Sequence, residues 1–205
     1  MNYMRDIISI LKGVGAIITD SHFVGTSGRH MSAYINKDAL LPYTKHVSEV
    51  GKLFAEKFKN KKIEAVVAPA VGGIPLSQWT AYHLSKMSKK DVLSLYTEKT
   101  PDNNQILKRD YENLVKNKRV LVVEDTTTTG GSVKKVIRSV KKAKGRVVAV
   151  CIMVNRDPKI VNSKSIGAPF SSLGVFKVPS YEAKNCPLCK KGVPINTQLG
   201  HGKKF

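Results

Sequence analysis

The pattern of this 205-residue chain predicts an α/β fold, a mostly parallel twisted sheet with helices on both faces. Three observations carry that prediction. Apolar runs at Ile63–Ala68, Val120–Val123 and Val147–Val154 do not alternate with polar residues, as strands covered on both sides require. Stretches with apolar residues three and four apart separate such runs, so strands and helices alternate along the chain. Two of the runs end in glycine loops that open a helix. Such loops lie at the carboxyl edge of a parallel sheet, where ligands bind.

Met4, Ile7, Ile8 and Leu11 suit one face of a helix over about residues 3–12, followed by a short strand at Ala16–Thr19. The polar and aromatic segment Ser21–Asp38 reads as a loop with a strand near Ala33–Asn36. In the helix expected at Pro42–Phe58, Val47, Val50, Leu53, Phe54 and Phe58 share a face. Ile63–Ala68 is a buried strand, and the loop Pro69–Gly73 opens a helix that runs to about Ser85. Asp91–Tyr96 is a further strand. Thr97–Lys118 opens with a polar stretch around Pro101–Asn104 that shows neither period. After the strand Val120–Val123 and its glycine loop, Val133, Val136, Ile137 and Val140 mark a helix to about Lys144, and the strand Val147–Val154 follows. The chain reads as one domain over residues 1–205, with 181–205 an irregular tail.

Composition narrows the class. Apolar residues make up 41% and charged residues 24%, as in a soluble globular protein. The 35 basic and 15 acidic residues leave a net charge of +20, which attracts anionic substrates and polyanions. Much of it lies in lysine runs that suit solvated helix faces, and the chain has no RNA-recognition motif, zinc-finger spacing or interleaved aromatics. No segment approaches the ~18–20 uncharged apolar residues of a membrane span. Arg5, Asp6 and Lys12 interrupt the apolar N-terminus, so the expected location is cytoplasmic.

The most informative stretch is VLVVEDTTTTGGS, residues 120–132. Its polar glycine loop, Thr126, Thr127, Thr128, Thr129, Gly130, Gly131 and Ser132, lies between a strand and a helix N-terminus and forms a nest for a phosphate. Gly131 stands where a Walker A loop needs lysine, and no G-x-G-x-x-G follows the strand. Glu124 and Asp125 beside the nest would repel a polyphosphate. They suit a sugar phosphate, with the nest on the phosphate and the acids on ribose hydroxyls. Val71, Gly72 and Gly73 of the PAVGG loop form a second anion cradle on the same edge.

Residues 120–132 resemble the phosphoribosyl pyrophosphate (PRPP) motif of the type I phosphoribosyltransferases. His22–His30, Tyr34–Asp38, Pro69–Gln78, Tyr96–Lys99, Lys108–Arg109 and Asn155–Arg156 follow the order of orotate phosphoribosyltransferases in that family. The resemblance implies the family fold with a small N-terminal hood, and transfer of ribose 5-phosphate from PRPP to orotate with Mg²⁺. It implies that Glu124 and Asp125 stabilise the reacting ribose, and that Lys99, Lys108 and Arg109 close over pyrophosphate as catalytic cations. It places Arg156, Arg29, Tyr34 and Thr128 at the base, with Arg156 on the orotate carboxylate, and implies a homodimer with shared active sites. Many members carry a lysine where this chain has Thr26, so Arg29 or Lys37 would take over its contact. The rival readings are transfer to a purine or uracil, and a non-catalytic PRPP-binding regulator that uses the positive charge on nucleic acid.

The tail carries a separate signal. Cys186 and Cys189 form a C-x-x-C that reads either as two plain thiols in a tail or, with His201, as three candidate ligands for a structural Zn²⁺, while a redox pair lacks a thioredoxin-like context. A fourth ligand would come from His22, Cys151 or a partner chain. Cys151 otherwise reads as a small core residue within its strand.

Overall fold

A computed structural model describes residues 6–25, 28–200 and 202. In chain order the N-terminal part contains α1 (Ile7–Gly13), β1 (Ile17–Ile18), β2 (Phe23–Val24), β3 (His30–Met31), β4 (Tyr34–Ile35) and α2 (Thr44–Phe58). Then come β5 (Ala65–Pro69), α3 (Gly73–Ser88), β6 (Leu93–Lys99), β7 (Gln105–Leu107), α4 (Tyr111–Val115), β8 (Arg119–Thr127) and α5 (Gly131–Lys142). The chain continues through β9 (Arg146–Asn155), α6 (Ser163–Ile166), β10 (Phe170–Val175), β11 (Ser180–Tyr181) and α7 (Pro187–Lys190). Six strands form one sheet in the order β10-β9-β8-β5-β6-β7, parallel except for β7.

Strand residues alternate between two cores because successive side chains leave opposite faces of a strand. Val66, Ala68, Leu121, Val123, Cys151 and Met153 pack under α1, α2 and α3. Val67, Val120, Val122, Val150 and Ile152 pack against Val133, Val136, Ile137 and Val140 of α5 on the other face. Gly51 lets α2 and α3 touch, since a Cβ there would lie 2.5 Å from that of Trp79. The Asp6 carboxylate caps α1 by accepting from the Ile8 and Ser9 amides at 2.9 and 3.1 Å. The helix therefore starts at Ile7 rather than at about residue 3, because Asp6 is extended and caps it, while Met4 falls outside the described residues.

Four details depart from the sequence reading. β8 continues through Thr127 because Thr126 and Thr127 pair with Val154 and Asn155 of β9, so the acid pair lies inside the strand. The Thr97–Lys118 stretch is not irregular throughout. It builds β7, which turns back on β6 through Thr97, Glu98 and Lys99, and then α4. α3 continues to Ser88. The edge strand β10 had no apolar signature, since all six of its residues keep partial exposure and two are serines.

The hood is a β1–β4 pair and a three-stranded sheet in the order β11-β3-β2. The tail contributes β11 to it. Beyond α7 the chain returns along the hood, with Ile195 bridged to His22 and the Asn196 amide donating to the His22 carbonyl at 2.7 Å. Among the described residues no helix is long and apolar enough to cross a membrane.

Candidate active site

The carboxyl ends of β5, β8 and β9 deliver the PAVGG loop, the acid pair with its Thr-Gly loop, and Arg156 to one edge of the sheet. Strand pairing does this locally. β5 and β9 flank β8 in parallel register, and the Arg156 amide donates to the Thr127 carbonyl at 2.9 Å. A shallow concavity of about 550 Å³ near Tyr82, Lys86 and Lys90 sits at the opposite, amino end of β6 and takes no part.

Glu124 and Asp125 are 6% and 7% exposed. Burial, with the Asp125 charge beside it, pushes the Glu124 carboxyl well above the usual carboxylate range. Burial also raises Asp125, although its bonds from Thr126 and the nearby Lys37 work against the rise. Glu124 accepts from the Asp125 amide at 3.1 Å, and Asp125 accepts from the Thr126 amide. Lys37 matters more than the sequence reading allowed. Burial opposes its charge, but its 2.8 Å bond to Asp38 and the field of Asp125 outweigh that and hold the ammonium above its ordinary value. Gly72 makes the close approach: a Cβ there would lie 2.5 Å from Asp125 Oδ2 and 2.8 Å from the Lys37 stem. Hence the second glycine loop, Lys37 and Asp125 form one cluster.

The raised pair links folding to pH. A carboxyl whose folded value exceeds its unfolded one contributes stability that is complete below the unfolded value near ~4.3 and is lost as pH rises through the folded value. Glu124→Gln removes that loss. The variant should melt higher than the parent by a few degrees at pH 8, on the order of 1 kcal/mol, and by much less at pH 5. A melting difference that does not change between the two pH values would contradict the assignment.

The Thr-Gly loop starts at the end of β8. The Thr127 hydroxyl accepts from the Gly130 amide at 2.9 Å, and Gly130 turns with φ +75° into α5. Thr126 and Thr128 are partly exposed, Thr129, Gly131 and Ser132 exposed, and α5 begins at Gly131. Val71 stands 79% exposed at the rim of the PAVGG loop.

Arg156 follows the last residue of β9 and is half-buried. Burial lowers its guanidinium from the ordinary value, and Tyr34 opposes that shift from close by. One terminal nitrogen donates to the Met31 sulfur of the hood. Its Nε is the buried side-chain nitrogen or oxygen without a hydrogen-bond partner among the described residues. A buried N–H left unpaired costs about 1–3 kcal/mol, so the site calls for an acceptor from a ligand. Arg29 is placed differently from Arg156. Its fork is taken by Ser180, with Nε on the hydroxyl at 2.9 Å and Nη2 on the carbonyl at 2.6 Å, which ties β11 to the start of β3. Thr26 lies outside the described residues.

Lys99, Lys108 and Arg109 are all exposed around the β6–β7 hairpin. Glu98 holds Lys108 at 3.3 Å and Arg109 at 2.9 Å, pairs that water screens strongly. They form a cationic cluster on this hairpin. Cys151 lies in the sheet core, and burial pushes its thiol up to about 12, so it is excluded from the tail's ligand set. Cys186 and Cys189 instead meet His22 and His30 of the hood. His201 lies outside the described residues. Spacing had no means of finding His30, which reaches the tail only through the hood's strand pairing.

The family model for the phosphoribosyl transferase domain matches residues 36–166. The chain is 38% identical to the orotate phosphoribosyltransferase of Caldanaerobacter subterraneus over 180 residues, covering 87% of this chain and 88% of that one. It is 36% identical to the orotate phosphoribosyltransferase of Thermotoga maritima over 199 residues, covering 97% and 100%. Among solved structures, the orotate phosphoribosyltransferase of Aeropyrum pernix superposes with a TM-score of 0.64 at 26% identity, over 82% of this chain and 92% of that one. A Mycobacterium tuberculosis orotate phosphoribosyltransferase in complex with PRPP shares the fold, with a TM-score of 0.63 at 20% identity, over 83% and 96%.

Proposed function

The chain belongs to the orotate phosphoribosyltransferases, and on that premise we propose how its own residues transfer ribose 5-phosphate from PRPP to orotate. The nest of Thr126–Ser132 takes the 5-phosphate, and the backbone of Val71, Gly72 and Gly73 takes the diphosphate. Glu124 and Asp125 accept from the ribose hydroxyls and oppose the positive charge that builds on the ring as pyrophosphate leaves. Their burial makes that field strong, because little water screens it. Lys37 keeps the pair's charge balanced before substrate arrives.

The oxygen donors at this edge fit Mg²⁺, which prefers hard oxygen ligands and keeps substrate oxygens in its shell. Asp125 would hold it together with the diphosphate, and Mg²⁺ when bound supplies positive charge to the leaving group. Lys108 and Arg109 leave Glu98 and join Lys99 over the diphosphate, where the three exclude water. We assign them to the site of a second copy in a homodimer, which sedimentation would show. Three free cysteines suit a reducing cytoplasm.

The unpaired Nε–H of Arg156 carries the choice of acceptor base. A planar carboxylate gives a guanidinium two parallel charge-assisted bonds, and a neutral base offers no negative charge to pair with it. With PRPP and Mg²⁺, pyrophosphate should therefore appear with orotate and not with uracil, hypoxanthine or adenine. Arg156→Ala should raise the KM for orotate by about 10- to 100-fold while the KM for PRPP holds, since a charge-assisted bond contributes ~1.5–3 kcal/mol. Equal turnover with uracil would move the assignment to another base. PRPP binding without turnover on any base would favour the regulator.

A further inference from the structure

We propose that His22, His30, Cys186 and Cys189 form a structural zinc site that clasps the C-terminal tail to the hood. The four ligand atoms lie within 4.8 Å of one another. Cys189 Sγ stands 3.3 Å from His30 Nδ1, and His22 Nε2 stands 3.7 and 3.9 Å from the Cys186 and Cys189 sulfurs. Tetrahedral Zn²⁺ with Zn–S of ~2.3 Å and Zn–N of ~2.0–2.1 Å needs ligand atoms roughly 3.3–3.8 Å apart. The two imidazole nitrogens are closer, at 2.7 Å, and must separate by about 0.6 Å to take the ion.

A second observation points the same way. His22 Nδ1 sits 2.8 Å from the Val193 carbonyl, which can only accept. Nδ1 therefore carries the proton, and Nε2 presents its lone pair to the two sulfurs and His30. Metal-bound histidines are oriented by this kind of outer bond. Cys186, His22 and His30 are 0%, 1% and 4% exposed and Cys189 alone faces solvent, and four protein ligands leave no open position for substrate, which fits a structural role. Cys186 caps α7 and Cys189 lies within it, which sets both sulfurs on one short turn. The set is complete without His201. Binding displaces the two thiol protons into solvent, so affinity rises with pH.

The clasp bears on the active site. His30 and Met31 are β3, Met31 accepts from Arg156, and β11 of the tail pairs with both. Loss of zinc frees the tail from the hood that covers Arg156. This consequence rests on the orotate reading, whereas metal binding does not.

The experiment is metal analysis of purified protein, then titration of chelated apoprotein with Zn²⁺ and with Co²⁺. One zinc per chain is expected, and the Co²⁺ form should show the intense visible bands of tetrahedral cobalt with a thiolate charge-transfer band. Cys186→Ser and His30→Ala should each weaken Zn²⁺ by at least ~100-fold, and His201→Ala should leave it unchanged. Chelation should lower the melting temperature and raise the KM for orotate more than that for PRPP. If the variants fail to fold, the Co²⁺ spectrum of the parent protein still decides. A parent chain that takes up no zinc, or six-coordinate cobalt without a thiolate band, overturns the site. A zinc affinity lost with His201→Ala and kept with His30→Ala overturns this ligand set. Normal zinc binding without orotate turnover would keep the clasp and sink the orotate reading instead.

Discussion

Asp125→Asn should lower kcat by about 100- to 1,000-fold while PRPP binding measured without Mg²⁺ weakens less than tenfold, as for a group whose charge matters most in the transition state. The change keeps size and one hydrogen-bonding oxygen but removes the negative charge. In the ground state the ribose is neutral and needs only an acceptor, which the amide still provides. As the bond to pyrophosphate lengthens, the ring gains positive charge, and the fixed carboxylate answers it without reorganising. Asp125 is buried, so this field meets little screening, and the Thr126 amide holds the carboxylate in place. The same substitution relieves the like-charge contact with Glu124, so stability should rise as activity falls. Stopped-flow turnover beside calorimetric PRPP binding measures the split. Equal loss in both would assign Asp125 to simple binding.

Gly130→Val should abolish PRPP binding, by at least ~100-fold, through the shape of the phosphate nest. Gly130 sits at φ +75°, where a β-branched residue is strained by about 1–3 kcal/mol. A Cβ there would also lie 2.6 Å from Ile166 Cδ1. That side chain has a flexible end but is only 5% exposed, so its retreat disturbs the core beneath α5. The loop then relaxes to negative φ, and its amides no longer converge on one point. Gly130→Ala keeps most of the strain with less of the clash and should fall between the two. Circular dichroism separates lost binding from lost fold. A folded Gly130→Val chain with unchanged PRPP affinity would place the 5-phosphate elsewhere.

Residues 120–132 show why so much of the edge was legible. A buried strand, two acids and a glycine loop are neighbours along the chain, so local pattern sets their order and the parallel sheet sets their address. The helices α2, α3 and α5 were visible for the same reason, since burial imposes its period directly on adjacent residues. β10 and β7 were not, because an edge strand is held by backbone pairing and leaves little apolar trace.

By itself the sequence determined the α/β class, the acid pair with the Thr-Gly loop that follows it, the second glycine loop, and Arg156 as a cation at a strand end. Only the tertiary structure decided that Lys37 stands at Asp125, that Arg29 is occupied by Ser180, and that Arg156 keeps a buried N–H unpaired. It also decided the tail's partners. His22 and Cys186 meet across 164 residues, and His30 and Cys189 across 159. The reason is physical: spacing constrains only groups that share an element, whereas ligands from separate elements meet when the sheet, hood and tail have closed on one another.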